Sequence, residues 1–173
     1  RARLARALFW LLPLGWLAFA ATVVLRPVPG YDPRFDIGVY NLAFVLAAAA
    51  CWCHAPRTPT DGVAWRTMGV GLVLFALGNV YGSAVVGEAE VYPSVADGLW
   101  LSYYVCAYVA IVLLVRTRMP AYSRNAWLDG LVGGCGAAAL AAEFVFAQVL
   151  ADTQGRAAVV ATNLAYPVMQ VLL

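Results

Sequence analysis

The sequence predicts an all-α, polytopic transmembrane helical bundle of about six spans with its N-terminus in the cytoplasm. Three observations predict it. The 173 residues are 64% hydrophobic and only 12% charged, with a mean hydropathy of +0.78, whereas a soluble domain carries roughly 25% charged residues. Too little polar surface remains to cover a water-soluble fold. The chain also divides into apolar runs close to the about 20 residues that a helix needs to cross a hydrocarbon core. Finally, nothing in these runs alternates with period two, which excludes a closed barrel.

Taken in order, the first span runs from about Ala7 to Leu25. Pro13 lies inside it, which membrane helices tolerate. Its basic start resembles a signal peptide, but the apolar stretch is too long and no clear A-x-A site follows, so it reads as a retained helix. The second span covers Ile37 to His54, after the proline-rich connection "RPVPGYDPRFD". The third covers Thr67 to Gly87, after "APRTPTDGVAWR", and the fourth runs from about Val95 to Val115. The fifth spans Ala126 to Leu150, and the sixth begins near Ala157 and reaches Leu173. The length suits one domain, 1–173. An arginine at position 1 and an apolar run at the end imply a segment of a longer protein, truncated at its C-terminus.

Orientation follows from arginine placement, since cytoplasmic connections collect basic residues. All eleven basic residues are arginine. Arg1, Arg3, Arg6, Arg57, Arg66, Arg116, Arg118 and Arg124 fall on one side, and Arg26, Arg34 and Arg156 on the other. Eight against three puts the N-terminus inside. The absence of lysine excludes a retinal or pyridoxal Schiff base, because both need its amine.

Four groups of residues are candidates for chemistry or packing. Ser94 and Asp97 stand in the S-x-x-D relation of a capping box, just after Pro93 and ahead of an apolar run. There the carboxylate meets the positive end of the helix dipole at a hydrated edge. A ligand- or ion-binding role for Asp97 is the alternative, and the two are compatible. Glu143 lies deep in the fifth span, where a charge costs at least roughly 2.5–3.5 kcal/mol on insertion scales. It reads either as a sensing or ligand residue or as a neutral acid bonded to Asn79, Asn163 or Gln148. Gly78 and Gly82, and Gly130 and Gly134, recur at i, i+4 and permit close helix packing. Tyr104 belongs to a crowd of aromatics (Tyr92, Trp100, Tyr103, Tyr108) in the outer half of the fourth span, part interfacial belt and part possible pocket lining.

"CWCH" at Cys51–His54 does not make a metal site. On a helix Cys51 and Cys53 point about 200° apart, and Cys51 with His54 is two ligands short of the usual four. The expectation is therefore no metal and no cofactor. No Walker loop, H-E-x-x-H or nucleophile elbow occurs, and no constellation of roles surrounds Glu143, Asp97 or Asp129. No catalytic residue is expected within the segment.

"YPSVADGLWLSYYVCAYVAIVLLVR", then "WLDGLVGGCGAAALAAEFVF" and "ATNLAYPVMQVLL", resembles the multi-pass N-terminal membrane region of certain actinobacterial signalling proteins. The likeness is close over Tyr92 to Leu173 and general before that. Gln170 stands where that family often shows an acid. The resemblance implies cytoplasmic output domains outside this chain, most often a diguanylate cyclase (GGDEF) and frequently a cyclic-di-GMP phosphodiesterase (EAL).

The sequence thus leads to one expectation: a multi-pass sensory or input domain of a bacterial plasma membrane. Its partners would be the lipid bilayer, its own output domains, a small-molecule or lipid ligand, and a second copy in a homodimer, with no nucleic acid. Asp97, Tyr104, Glu143, Asn79 and Asn163 are the sensing candidates. A transporter or channel segment would instead gather Glu143, Asn79 and Asn163 into one midplane cavity. A structural anchor or oligomerisation module would need none of them.

Overall fold

The computed structural model describes residues 13–17, 20–21, 34–83, 92–119, 124–141 and 157–173. Among these residues every regular element is helical. A π-helical turn, Arg34–Val39, leads into α1 (Tyr40–His54). A 3₁₀ turn at Ala55–Arg57, with Pro56 in its first turn, closes α1 and starts a short connection to α2 (Gly62–Tyr81). α3 is Val95–Arg118, α4 is Arg124–Ala141 and α5 is Ala157–Leu172. Residues 13–17 and 20–21, within the first expected span, are helical as well.

Three segments are long and apolar enough to cross a membrane: Ile37–Arg57, Gly62–Tyr81 and Val95–Arg118. At about 1.5 Å of rise per residue, α2 is about 30 Å long and α3 about 36 Å. α4 carries a shorter apolar stretch, Leu128–Leu140.

Expected boundaries shift at both ends of α2, at the end of α3 and at the start of α4, which begins at Arg124 rather than Ala126. α2 begins at Gly62 rather than Thr67. Arg66 marked the edge of the apolar run, but a helix continues through an arginine whose side chain is exposed. The real stop signal is the Thr58–Asp61 turn, where the Asp61 amide donates to the Thr58 carbonyl at 3.0 Å. α3 likewise runs past Val115 to Arg118, with its two arginines in the last turn, at the negative end of the dipole. The fifth span is described only as far as Ala141.

α1, α2 and α3 form an antiparallel three-helix unit with α2 at its centre. Phe44 of α1 meets Phe75 of α2 at 4.7 Å between centroids, and Phe75 meets Tyr103 of α3 at 5.3 Å. Glycines let the helices approach. A Cβ on Gly69 would stand 2.5 Å from the Trp52 indole of α1. On Gly71 it would stand 2.8 Å from Cys106 Cβ, and on Gly78 it would stand 2.7 Å from the Trp100 ring, both on α3. Small residues at such contacts permit close packing without apolar interdigitation.

The interior is accordingly small, and the exterior is large and apolar. Buried positions include Ala43, Ala48, Ala64, Ala76, Ala107 and Ala110, while Leu42, Val45, Leu77, Val80, Val105 and Val109 are exposed. A water-soluble core has the reverse arrangement.

Candidate functional site

Two buried polar residues, Asn41 and Asp97, lie at the end of the unit where α1 and α3 begin and α2 finishes. α3 starts there because Ser94 is in extended conformation and closes a capping box with Asp97. The Ser94 amide donates to Asp97 Oδ2 at 2.8 Å, and the Ser94 hydroxyl donates to the same oxygen at 3.0 Å. The expected cap is present. Its expected hydration is not: Asp97 is only 4% exposed. The reason is the other carboxylate oxygen, Oδ1, which accepts the Tyr166 hydroxyl of α5 at 2.6 Å. A helix covers the cap. Three donors, the amide and hydroxyl of Ser94 and one hydroxyl from 69 residues away, hold one carboxylate.

A second chain of bonds lies beside it. Asn41, buried near the start of α1, donates to the Ile37 carbonyl at 2.8 Å. Its own oxygen accepts from Asn79 of α2 at 3.0 Å, and Asn79 Oδ1 accepts from Trp100 Nε1 of α3 at 2.9 Å. One amide from each of two helices and one indole thus tie all three helices together. The Trp100 and Tyr166 rings, 6.5 Å apart, bring the two chains side by side.

α5 adds further contacts along its length. The Tyr92 hydroxyl donates to Asn163 Oδ1, and the Tyr108 hydroxyl donates to the Met169 carbonyl. Asn163, Tyr166 and Met169 follow one another at three-residue spacing along one side of α5. Their partners advance in the same sense from Tyr92 through Asp97 to Tyr108. α5 therefore runs parallel to α3.

Of the sensing candidates, Asp97 and Asn79 meet in this cluster, linked through Trp100, and Asn163 joins it through Tyr92. Tyr104 is buried, its ring 5.4 Å from Tyr103. Glu143, together with Gln148, lies outside the described residues. Among the packing candidates, Gly78 lies directly on Trp100, and a Cβ on Gly82 would stand 3.5 Å from the same ring. Among the described residues nothing lies within 4 Å of a Cβ placed on Gly130 or Gly134. Three participants had not been singled out as site residues. Asn41 is a polar residue early in an apolar run, Tyr166 sits in the quoted "ATNLAYPVMQVLL" element, and Trp100 belongs to the aromatic crowd that reads as part interfacial belt and part pocket lining. The first of these carried a signal in its residue type alone.

The opposite end carries a separate clamp. Asp61 is the N-cap residue of α2 by position, but its carboxylate turns to α3. Oδ1 accepts the Thr117 hydroxyl at 2.6 Å, and Arg118 reaches Oδ2 through Nε and Nη2, each at 2.8 Å. The Thr117 hydrogen bond, then the bond and charge of Arg118, hold the Asp61 carboxyl below the usual carboxylate range against its desolvation. Cys51, Cys53, Cys106 and Cys135 are free thiols, and no group of metal-ligating side chains forms among the described residues.

Among the described residues, fold and site together define an all-helical bundle with three helices long and apolar enough to cross a membrane and a part-buried polar rung at one end. No protein-family model matches the chain, and no curated protein or solved structure matches it at a significant level.

Proposed function

We propose that the chain is a multi-pass sensory or input domain of a bacterial plasma membrane, with six spans and a cytoplasmic N-terminus. Membrane residence is supported by the inverted packing: glycine and alanine inside, leucine and valine outside. The parallel course of α3 and α5 supports the topology, because a single α4 crossing between them returns the chain to the same side. The arginine count sets which side that is.

The observation that carries the sensory reading is the hydrogen bond from Tyr166 to Asp97. It joins the fourth and sixth spans through a buried carboxylate at the extracytoplasmic end, where an arriving cue would act. Polar and ionisable groups inside a membrane bundle are functional candidates by default. A transporter segment would present Asn79 and Asn163 to a common path. Asn79 is instead engaged at both ends of its amide, and Asn163 accepts from Tyr92. The output class, synthesis or breakdown of cyclic di-GMP, rests on the sequence resemblance alone.

The test is a chromosomal Asp97→Asn substitution in the gene that encodes this chain, with cellular cyclic di-GMP as readout. Asparagine keeps the shape and an acceptor but removes the charge. Cyclic di-GMP should change at least severalfold at unchanged protein level. An unchanged level with normal membrane abundance refutes the sensory role. Reporter fusions at Arg57, between the second and third spans, and at Tyr92 should give inside and outside signals respectively.

A further inference from the structure

α5 is attached to α3 by a different kind of contact from the one that joins α2 to α3. The α2–α3 contact is steric: Gly71 and Gly78 receive Cys106 and Trp100 so closely that no Cβ fits. The α3–α5 contact runs through tyrosine hydroxyls. Tyr92 donates to Asn163, Tyr166 donates to Asp97, and Tyr108 donates to the Met169 carbonyl. Hydrogen bonds between membrane helices are individually weak and break without leaving a void, whereas interlocked surfaces separate only as a whole. Pro167, one residue after Tyr166, sits inside α5. It lacks the amide that would bond the Asn163 carbonyl, so the helix is weakest in bending at its middle contact.

We propose that these three tyrosines form a latch, and that α5 is the moving element of the domain: it docks on a rigid α1–α3 unit and swings about Pro167 when the latch opens. The inference deepens the sensory reading and rests on it for its purpose, by naming which helix moves and which bonds hold it. Asp97 is the centre of the latch. Its Oδ2 stays with Ser94 when Tyr166 leaves, so the cap of α3 survives undocking and the carboxylate remains partnered. A two-state element of this kind needs a lock that a modest binding event can open.

The test uses the whole chain in lipid nanodiscs, with Cys51, Cys53, Cys106 and Cys135 replaced by alanine and spin labels on exposed positions. One label pair, Ile111→Cys with Gln170→Cys, reports α3 against α5. A second, Val70→Cys with Ile111→Cys, reports α2 against α3. Each hydroxyl removed should raise the undocked population about threefold, so the triple variant Tyr92→Phe, Tyr108→Phe, Tyr166→Phe should raise it about thirtyfold if the effects add. The α2–α3 distances should stay those of the parent. A triple variant whose α3–α5 distances match the parent overturns the latch, and so does one in which both pairs shift together. The two proposals fail separately. Undocking without any effect of Asp97→Asn on cyclic di-GMP sinks the sensory reading and leaves the latch standing. An effect on cyclic di-GMP without undocking does the reverse.

Discussion

Replacing Gly78 with alanine probes the packing of α2 on α3 at one defined atom. The added Cβ would stand 2.7 Å from both Cδ1 and Nε1 of Trp100 and 3.3 Å from the Ala96 carbonyl oxygen. Carbon contacts are comfortable at about 3.5–4.0 Å, so the ring has to retreat by about 1 Å. It has little freedom to do so. Its Nε1 is committed to Asn79 at 2.9 Å, and a retreating ring has to give up that bond. Overpacking of this sort costs about 1–3 kcal/mol. Loss of the Trp100–Asn79 bond adds about 0.6 kcal/mol. Alanine's better helix propensity returns up to about 1 kcal/mol. The net destabilisation is about 1–3 kcal/mol, which lowers the melting temperature of a chain this size by about 2–12 °C. Thermal unfolding in detergent, followed by tryptophan fluorescence, measures it. Gly98→Ala is the control, since nothing lies within 4 Å of a Cβ there. Should Gly78→Ala melt as high as Gly98→Ala, the close approach of α2 and α3 is not what the geometry says it is.

Asn79→Ala leaves the half-buried Trp100 N–H and the buried Asn41 Oδ1 without their partner, and should cost about 1–3 kcal/mol in the same assay. Removing Asn41 as well should cost less than the sum of the single changes, and a strictly additive double mutant would dissolve the rung. The Asp61 clamp gives a pH dependence of known sign. The folded carboxyl titrates below its unfolded value of about 3.9, so its contribution is complete above that pH and fades as pH falls through the folded value. Asp61→Asn should therefore melt below the parent at pH 7, and the gap should close below about pH 4. A gap that holds constant down to pH 3 would show that the Thr117 and Arg118 bonds do not favour the ionised form.

What could be read from the sequence was what is local. Ser94 and Asp97 are three residues apart, so the capping box follows from their types and spacing. Helix positions follow from the length of apolar runs, and the largest shift of a start, Gly62 for Thr67, arises because Arg66 ends the apolar run without ending the helix. Contacts between helices were not legible in this way. Gly78 and Gly130 carry the same i, i+4 signature, yet one meets an indole and the other meets no described atom. Spacing makes a helix face smooth but does not say what lies on it. Asp97 and Tyr166 are 69 residues apart, and neither residue announces the other. A tyrosine beside a proline in an apolar run is equally at home in an interfacial belt.

The burial of Asp97 sets it apart from an ordinary hydrated helix cap. A hydrated N-cap at a membrane edge needs nothing beyond Ser94, and the helix dipole adds about 0.3–1 kcal/mol in its favour. Covering that carboxylate with α5 removes its water, which is a net cost unless a donor replaces the water lost. Tyr166 is that donor, at 2.6 Å. The bond therefore does little to stabilise α3, whose cap is already closed, and much to fix where α5 lies. A bundle seeking stability alone would place an apolar side chain over an apolar helix start. Placing a hydroxyl over a carboxylate makes the position of α5 depend on one bond to a single buried oxygen.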